Sequence, residues 1–589
     1  MSKPAATDSR MEKIVSLCKR RGFIYQSSEI YGGIGGFWDY GPLGAELKRN
    51  LRDAWWRAMT REREDVVGLD ATIIMHPAIW KASGHVDTFA DLMRECTVTN
   101  KRVRADHVEP QEGTVLRFTG AKASNGWHLD RPITVLLKKG EHIESFRKRV
   151  RQLLAQNAGA ACGKAEEIEL LGEEKIDAVT GSTDFHPESG GLLNEARPFN
   201  LMLRTYVGPT ATENDVAYLR PETAQAIFAQ FKNVLDSSRV KVPFGICQIG
   251  KAFRNEVTPK NFTFRSREFE QMELEFFIKP DEAVQLVHGS VEAWSEGSDL
   301  SAPRPNWGWE MWHRYWVDQR TKFYGSIGLG RNVLDHYWQT KADLAHYARA
   351  CVDILFRFPF GTDELEGIAA RGDFDLAQHQ KHSGKSQEYF DEELKAACDK
   401  LSDTEKEAFI RETHARRTCP ETTLEETSAF CEKLFRGLYV PHVIEPSAGL
   451  DRLALAILSD AFVEEEVTDE KGKGEVRTAL RFHPRIAPVK VGVFPLLKNK
   501  PELVAKAREV LELLRPHMTV FYDETGAIGR RYRRQDEIGT PFGVTIDFET
   551  LGEGGEELKG TVTLRERDTM QQRRIPIAEL LPFLLGQIR

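Results

Sequence analysis

Residues 243–279 read PFGICQIGKAFRNEVTPKNFTFRSREFEQMELEFFIK, and the reading of this stretch decides the fold. Two segments of strand-like alternation flank a loop that holds Pro259, Asn261, Arg265 and Arg267. Side chains alternate across a strand, so each segment sorts into two faces. Cys247, Ile249 and Phe253 share one face, and Gln248, Arg254 and Glu256 the other. In the second segment Met272, Leu274, Phe276 and Ile278 oppose Phe269, Gln271, Glu273 and Glu275. Paired as a hairpin, the strands present one greasy face for a helix to cover. The opposite face carries an arginine, several carboxylates and one aromatic ring. That combination suits an anionic nucleotide: a guanidinium forks onto phosphate, a carboxylate accepts from an amine, and a ring stacks on a base. The plain alternative is a charged face that simply meets water.

The flanking chain supplies further sites. In HVIEPSAGLDRLALAILSDAF (442–462) a strand turns into a helix, with Gly449 expected to permit the tight turn. Arg452 falls in the first helical turn, where backbone N–H groups also point outward, so the pair makes an anion site. In VAYLRPETAQAIFAQF a strand (Val216 to Leu219) precedes a helix (Ala224 to Phe231), and Glu222 and Thr223 stand where a helix cap belongs. Met11 to Arg21 reads as a short basic helix. Ala45 to Arg63 reads as an amphipathic helix followed by a strand, Asp70 to Met75, closed by His76-Pro77. Residues 109–187 read as an insertion dense in charge, and a second insertion spans about 281–440. The tryptophans of NWGWEMWHRYWVDQRTKFYG suggest packing. The polar run EEEVTDEKGKGEVRT reads as a loop near a boundary. From His483 a new α/β unit begins: strand, helix (Glu502 to Leu514), strand (Thr519 to Tyr522), then more strands. There Arg530, Arg531, Arg533 and Arg534 surround Tyr532, and Arg565, Arg567, Arg573 and Arg574 add to them. Arginines interleaved with an aromatic suit single-stranded RNA, with a solvated charge run as the alternative.

Composition bounds the class. At 589 residues the chain needs several cores, and 41% apolar with 29% charged residues is a globular profile. No apolar run approaches the ~18 residues of a membrane span, and the N-terminus lacks a secretory core. The net charge of −8 argues against indiscriminate nucleic-acid binding. Eight cysteines form no C-x-x-C pair, so neither structural zinc nor a disulfide framework is expected, and a cytoplasmic setting fits. Gly33-Ile34-Gly35 lacks the third glycine of a dinucleotide loop, and Gly384-Lys385-Ser386 lacks the first glycine of a P-loop.

Together FRNE, the loop, FRSREFEQME, the RPET step, DELEGIAARGDFDL, IEPSAGLDR and YDETGAIGRRYRRQDEIGTPF resemble the class II aminoacyl-tRNA synthetases, and among them the homodimeric glycyl-tRNA synthetases. The resemblance implies an α+β fold: an antiparallel catalytic sheet flanked by helices over residues 1–482, then an α/β anticodon-binding domain over 483–589. It implies that Arg254 holds the α-phosphate of ATP, Glu256 the adenine amine, Phe269 the adenine ring and Arg452 the γ-phosphate. Asn255, Phe264, Arg265, Ser266, Arg267, Glu268, Glu364, Leu365, Gly449, Leu450 and Asp451 join the expected ATP site. Arg104, Glu222, Phe269, Glu270, Gln271, Met272, Glu273, Glu445, Pro446, Ser447, Ala448 and Gly449 form the expected glycine site. Arg530, Arg531, Arg533, Arg534, Arg565 and Arg567 are the expected tRNA contacts, and Glu364 with Glu445 the expected magnesium ligands. Implied with them are tRNA(Gly), a homodimer and no membrane. Family members often pair cysteines near Cys96, where this chain has Thr97, Val98 and Thr99, so no zinc site carries over.

Two other classes compete. A sister synthetase for threonine, proline, histidine or serine fits the acid-rich EFEQMELE and RPET strings less well. A non-catalytic RNA-binding relative would have lost phosphate arginines that Arg254 and Arg452 retain. Glycine also needs no editing site, since a pocket for the smallest amino acid excludes the rest by filling space, whereas a missing methylene is worth only ~1–3 kcal/mol.

Overall fold

The computed structural model describes residues 6–588 apart from 210, 346, 417–421 and 469–473. The described residues form two compact units. One comprises residues 84–203 and 254–259; the other holds the rest.

The larger unit opens with helices α1 (Ala6–Arg21) and α2 (Pro42–Thr60). Pro42 sits at the first turn of α2, where its missing N–H costs nothing, and Leu47, Leu51, Ala54, Trp55 and Met59 form its buried stripe. A short strand β1 (Val66–Gly68) follows; the expected strand over 70–75 shrinks to Ile74–Met75, paired with Val216–Leu219. Helix α3 (Ala224–Ser238) leads to the hairpin of β2 (Phe244–Phe253) and β3 (Glu268–Ile278), in register from Phe244↔Phe277 to Phe253↔Glu268. Then come α4 (Trp309–Ser326), β4 (Leu334–Trp338), β5 (Ala350–Phe358), β6 (Gly361–Gly372), α5 (Phe374–Ser383), β7 (His442–Gly449) and α6 (Leu450–Ala461).

These strands make one seven-stranded sheet in the order β4-β5-β6-β7-β3-β2-β1, antiparallel except where β1 runs parallel to β2. The segment 281–440 is therefore no simple insertion: it contributes α4 and three strands of the main sheet. Met272, Leu274, Phe276 and Ile278 point into the principal core with residues of α2, α4 and α6. Trp312 and Trp316 lie 5.1 Å from the ring of Phe276, so the tryptophan-rich stretch is packing. On the other face Phe228 and Phe231 of α3 close over Phe244 and Phe277. The acid-bearing face is thus covered, and Glu273 and Glu275 are buried.

The polar run read as a loop is a hairpin among the described residues, β8 (Phe462–Thr468) with β9 (Gly474–Leu480). Residues 469–473 of that run lie outside the described residues. The remaining chain forms β10 (Val491–Pro495), α7 (Pro501–Leu514), β11 (Val520–Tyr522), α8 (Ile528–Ile538), β12 (Phe542–Ile546), β13 (Thr561–Glu566), β14 (Gln572–Pro576) and α9 (Ile577–Ile588). Its sheet order is β11-β10-β12-β13-β14, with β10 parallel to both neighbours, and it has a core of its own.

The second unit is wider than the expected insertion at 109–187. It holds three three-stranded sheets and the helix Ile143–Ala158, which buries Phe146, Val150 and Leu154.

Candidate active site

Strand alternation decides which side chains can act together. Glu273 lies directly across from Ser447, and one step along Glu275 neighbours Glu445. Thr223 stands at the start of α3, but its hydroxyl does not cap the helix; it donates to Glu273. Gln248 of β2 donates to the Thr223 carbonyl at 2.6 Å and holds that turn against the sheet. Arg220, 2% exposed, lies across Gly250 and donates to the carbonyls of Lys251 (2.7 Å) and Ala71 (3.0 Å). A Cβ on Gly250 would come within 2.0 Å of that guanidinium, so the close approach needs glycine.

One buried arginine stands among these acids. Arg371 donates to Glu445 at 2.7 Å and forks onto Asp375 at 2.8 and 2.9 Å, with the Tyr347 ring 4.0 Å away. Gln225 bridges Asp375 (2.9 Å) and Glu222 (3.1 Å), and His379 meets the Gln225 oxygen at 2.9 Å. Oxygens of Glu273, Glu275 and Glu445 lie within 4.8 Å of one another. Both oxygens of Glu275 lack a hydrogen-bond partner. Burial, then the charge of Glu445, pushes the Glu275 carboxyl well above its usual range. Burial and the Glu222 charge raise Glu273 too, against the bonds from Thr223 and Ser447. Burial likewise raises Glu445, although the Arg371 charge pulls it down. Among the described residues the carboxylates of this cluster thus outnumber the cation beside them.

At the other end of the same face, Arg452 in the first turn of α6 donates to the Glu364 carbonyl and carboxylate at 3.2 Å each. It stacks 4.6 Å over Phe264, which packs edge-on against Phe358 and Phe360. Gly449 has an ordinary φ of −81°, contrary to the tight-turn expectation, and an added Cβ would meet the Arg452 stem only at an ordinary contact distance of 3.4 Å. Glu364 and Asp353 flank Gly367, where a Cβ would meet their oxygens at 3.5 and 3.8 Å. Gln339 clamps Asp353 at 2.9 and 3.0 Å. Arg267 anchors the glycine-rich segment 27–44 through the carbonyls of Gly35 (2.7 Å) and Gly36 (2.8 Å). Ser266 is buried on the Thr263 carbonyl, Arg265 and Phe269 are half-buried, and Glu268 pairs with Lys251.

Several expected residues point the other way. Met272, Leu365, Ala448 and Leu450 belong to the principal core, and Pro446 shares the face of Ala448. Glu270 faces Lys48 and Arg52; Asp451 accepts from Tyr40, Lys48 and the Glu270 amide. A motif string names consecutive residues, whereas every second residue of a strand serves the opposite face. Glu366 is buried on Arg320 and Tyr324, because a bulge in β5 and β6 turns it away from Glu364. Glu364 and Glu445 cannot share an ion: Glu445 pairs with Ala369, five residues from Glu364 and so roughly 16 Å along the strand.

Arg254, Asn255, Glu256 and Arg104 belong to the second unit. There Arg254 lies 5.4 Å from the Phe89 ring, and the Asn255 amide donates to the Leu201 carbonyl at 2.8 Å. Arg104 forks onto Asp106 (3.0 and 2.7 Å) and meets Asp91 at 3.2 Å. Those partners, with the nearby charge of buried Glu256, strengthen its hold on its proton.

Comparison with known proteins bears on this geometry. Residues 209–297 match the tRNA synthetase class II core domain (G, H, P, S and T), and residues 490–587 match the anticodon binding domain. A glycine–tRNA ligase of Thermus thermophilus is 43% identical over 588 residues, 99% of each chain. One from Rhodopirellula baltica is 42% identical over 595 residues, covering 98% of this chain and 99% of the relative. The chain belongs to the glycine–tRNA ligase family. It is an aminoacyl-tRNA ligase with the class II fold.

Within this ligase the C-terminal arginines divide. Arg565 forks onto Asp536 at 2.8 and 3.0 Å, where Arg477 of β9 also binds at 3.0 Å. Arg567 donates to the carbonyls of Gly539 and Phe482 at 2.7 Å each, and Arg531 to Pro495 (2.5 Å) and Gly526 (2.7 Å). Tyr532 is buried on Thr545. These residues hold the domain together and cannot meet RNA as expected. Arg534 pairs with Asp523, which leaves exposed Arg530 and half-buried Arg533 of the expected set on the surface.

Sequence reasoning missed Arg371, Asp375, Thr223 and Asp353 as site residues. Arg371 and Asp375 stand at i,i+4, a readable pair. Glu275 lies on the expected face of its strand, outside the expected glycine set. Asp353 had no local signal.

Proposed function

We infer that the chain joins glycine to tRNA(Gly), activating it first with ATP. The observation that carries this is the buried cluster of Glu273, Glu275 and Glu445, in which acceptors outnumber the neighbouring cation, Arg371, among the described residues. Glycine's ammonium is the cation it suits, gripped by Glu273 with Glu222 and Ser447 beside it. The glycine carboxylate attacks the α-phosphorus of ATP in line and pyrophosphate leaves; the adenylate then passes glycine to the terminal ribose of tRNA. No covalent enzyme intermediate is needed, so orientation and fixed charge do the catalysis.

Arg452 holds the γ-phosphate, its guanidinium already set by Phe264 and Glu364. Phe269 stacks on the adenine. The roles of Arg254 at the α-phosphate and Glu256 at the adenine amine rest on their place in the FRNE string. Magnesium fits the space over Gly367, which two hard carboxylate donors, Asp353 and Glu364, flank and no side chain fills. When bound there it neutralises phosphate charge. The ligase works as a homodimer in the cytoplasm, with α2 at the subunit interface, as the family resemblance implies.

ATP–pyrophosphate exchange with each of the twenty amino acids tests the reading. Glycine alone should sustain it, and charging should follow with tRNA(Gly). Exchange with alanine or serine at a rate equal to glycine overturns the assignment.

A further inference from the structure

Beside the acid cluster stand two buried side chains that no step of the reaction uses. Gln225, the second residue of α3, faces Asp375 and His379, which stand one turn apart on α5. Gln225 is 1% exposed and His379 7%.

Gln225 uses its whole amide there. Its NH2 donates to Asp375 Oδ1 at 2.9 Å and to Glu222 Oε1 at 3.1 Å, and its oxygen faces His379 Nε2 at 2.9 Å. An amide can be turned end for end, so its orientation needs a cause. Asp375 supplies one. Arg371 forks onto both of its oxygens at 2.8 and 2.9 Å, so it stands as a carboxylate and only accepts. His379 supplies the other. Burial lowers its pKa against the pull of Asp375, so the ring carries a single proton at pH 7. That proton sits on Nε2, where it meets the Gln225 oxygen. The reversed amide would set its oxygen against two acids.

One thread of hydrogen bonds results, Glu222–Gln225–Asp375–Arg371–Glu445, closed by the 2.7 Å bond from Arg371 to Glu445. It starts just before α3, crosses α5 and the end of β6, and finishes on β7. The acid that comes from the helix side is thereby fixed relative to the acid that comes from the sheet.

We propose that Gln225 is the positioning residue that holds Glu222 toward the glycine ammonium, and that His379 locks Gln225 in the one orientation able to do so. The proposal rests on the ligase reading. A glutamate on the turn before a helix has several rotamers open to it, and a bond from a fixed amide selects one before glycine arrives. Less freedom is then lost on binding.

The test is steady-state ATP–pyrophosphate exchange by the full chain, with a melting curve for each variant. Gln225→Leu should raise the KM for glycine about tenfold, the worth of one hydrogen bond to a charged group. The KM for ATP should stay within about twofold. Gln225→Glu keeps the shape and removes both donors, so it should do at least as much harm as leucine. His379→Gln puts an amide N–H where the imidazole proton was and should keep the glycine KM within about threefold of wild type. His379→Leu should raise it about fivefold or more. A role in packing alone predicts another order, with Gln225→Glu close to wild type and the two His379 variants alike. The proposal is overturned if Gln225→Glu keeps the wild-type glycine KM, if the KM for ATP rises as much as that for glycine, or if His379→Gln and His379→Leu do not differ. Should Gln225→Glu fail to fold, the two His379 variants, both neutral, decide alone. A wild type without glycine-dependent exchange overturns the ligase reading and this proposal with it. A wild type that exchanges with glycine beside unaffected variants overturns the proposal alone.

Discussion

Two buried arginine clusters in this molecule have opposite arithmetic. Around Arg371 stand Asp375 and Glu445, with Glu273 and Glu275 beyond, so negative charge is in excess. Around Asp536 stand Arg477 and Arg565, so two cations share one fully buried acid. Charge alone would make both into ligand sites, one for cations and one for phosphate. Hydrogen-bond accounting separates them. In the second cluster Arg477 also reaches the Arg567 carbonyl at 2.7 Å and Glu465, and Arg567 reaches two further carbonyls. In the first, both Glu275 oxygens remain open. The first cluster has the unfilled hydrogen-bonding capacity that a receptor needs, whereas the second is filled as a strut should be.

The largest effect should come from breaking the strut. Asp536→Asn leaves two buried guanidinium groups short of charge and should cost ~3–5 kcal/mol of stability. Denaturant unfolding measures it; a loss below ~1 kcal/mol would make the cluster dispensable and blur the contrast.

Glu273→Gln probes the receptor. Exchanging a charge-assisted contact for a neutral one is worth ~1.5–3 kcal/mol, so the KM for glycine should rise roughly 10- to 150-fold. The KM for ATP should move less than about threefold, and the melting temperature should hold or rise, because a buried charge has been removed. Equal losses for both substrates would sink the receptor assignment.

The smallest effect is in protons. Burial, with the charges of Glu222 and Glu445 respectively, raises Glu273 and Glu275, so the folded state holds protons that the unfolded chain releases. Their linked stability is therefore present below the ordinary carboxylate range and lost as pH rises through the raised values. An ammonium bound among them reverses the shift. Glycine binding at pH 7 should thus release a fraction of a proton, and affinity should increase from pH 6 to 8. Calorimetry in two buffers of different ionisation enthalpy reads the release; uptake, or no exchange, contradicts the assignment.

Much of this was legible in the chain. The hairpin faces, the RPET turn before α3, the strand-to-helix step at Arg452 and the tryptophan packing all follow from local periodicity. What local pattern could not reach depends on distant pairing. Asp353 joins Glu364 only because β5 lies beside β6, and Glu445 leaves it because the register puts Ala369 opposite. The arginines near Tyr532 read as RNA contacts in the sequence because their acids, Asp536 and Asp523, are reached only once α8 is packed. Family strings likewise name residues without saying which face they use, as Glu270 and Met272 show.

The Arg477–Asp536 contact has a consequence at the level of the gene. Arg477 is 1% exposed at its side chain, and its partners Asp536 and the Arg567 carbonyl are encoded after it. Helix α1 makes a second tie, through Arg20 and Arg21 to Glu537. A stop codon just past the catalytic sheet, near Arg481, would therefore not yield a tidy activating fragment that merely cannot read tRNA. It would strip Arg477 of Asp536 and the Arg567 carbonyl and leave it Glu465, so nonsense changes in the last fifth of the reading frame act first as folding lesions.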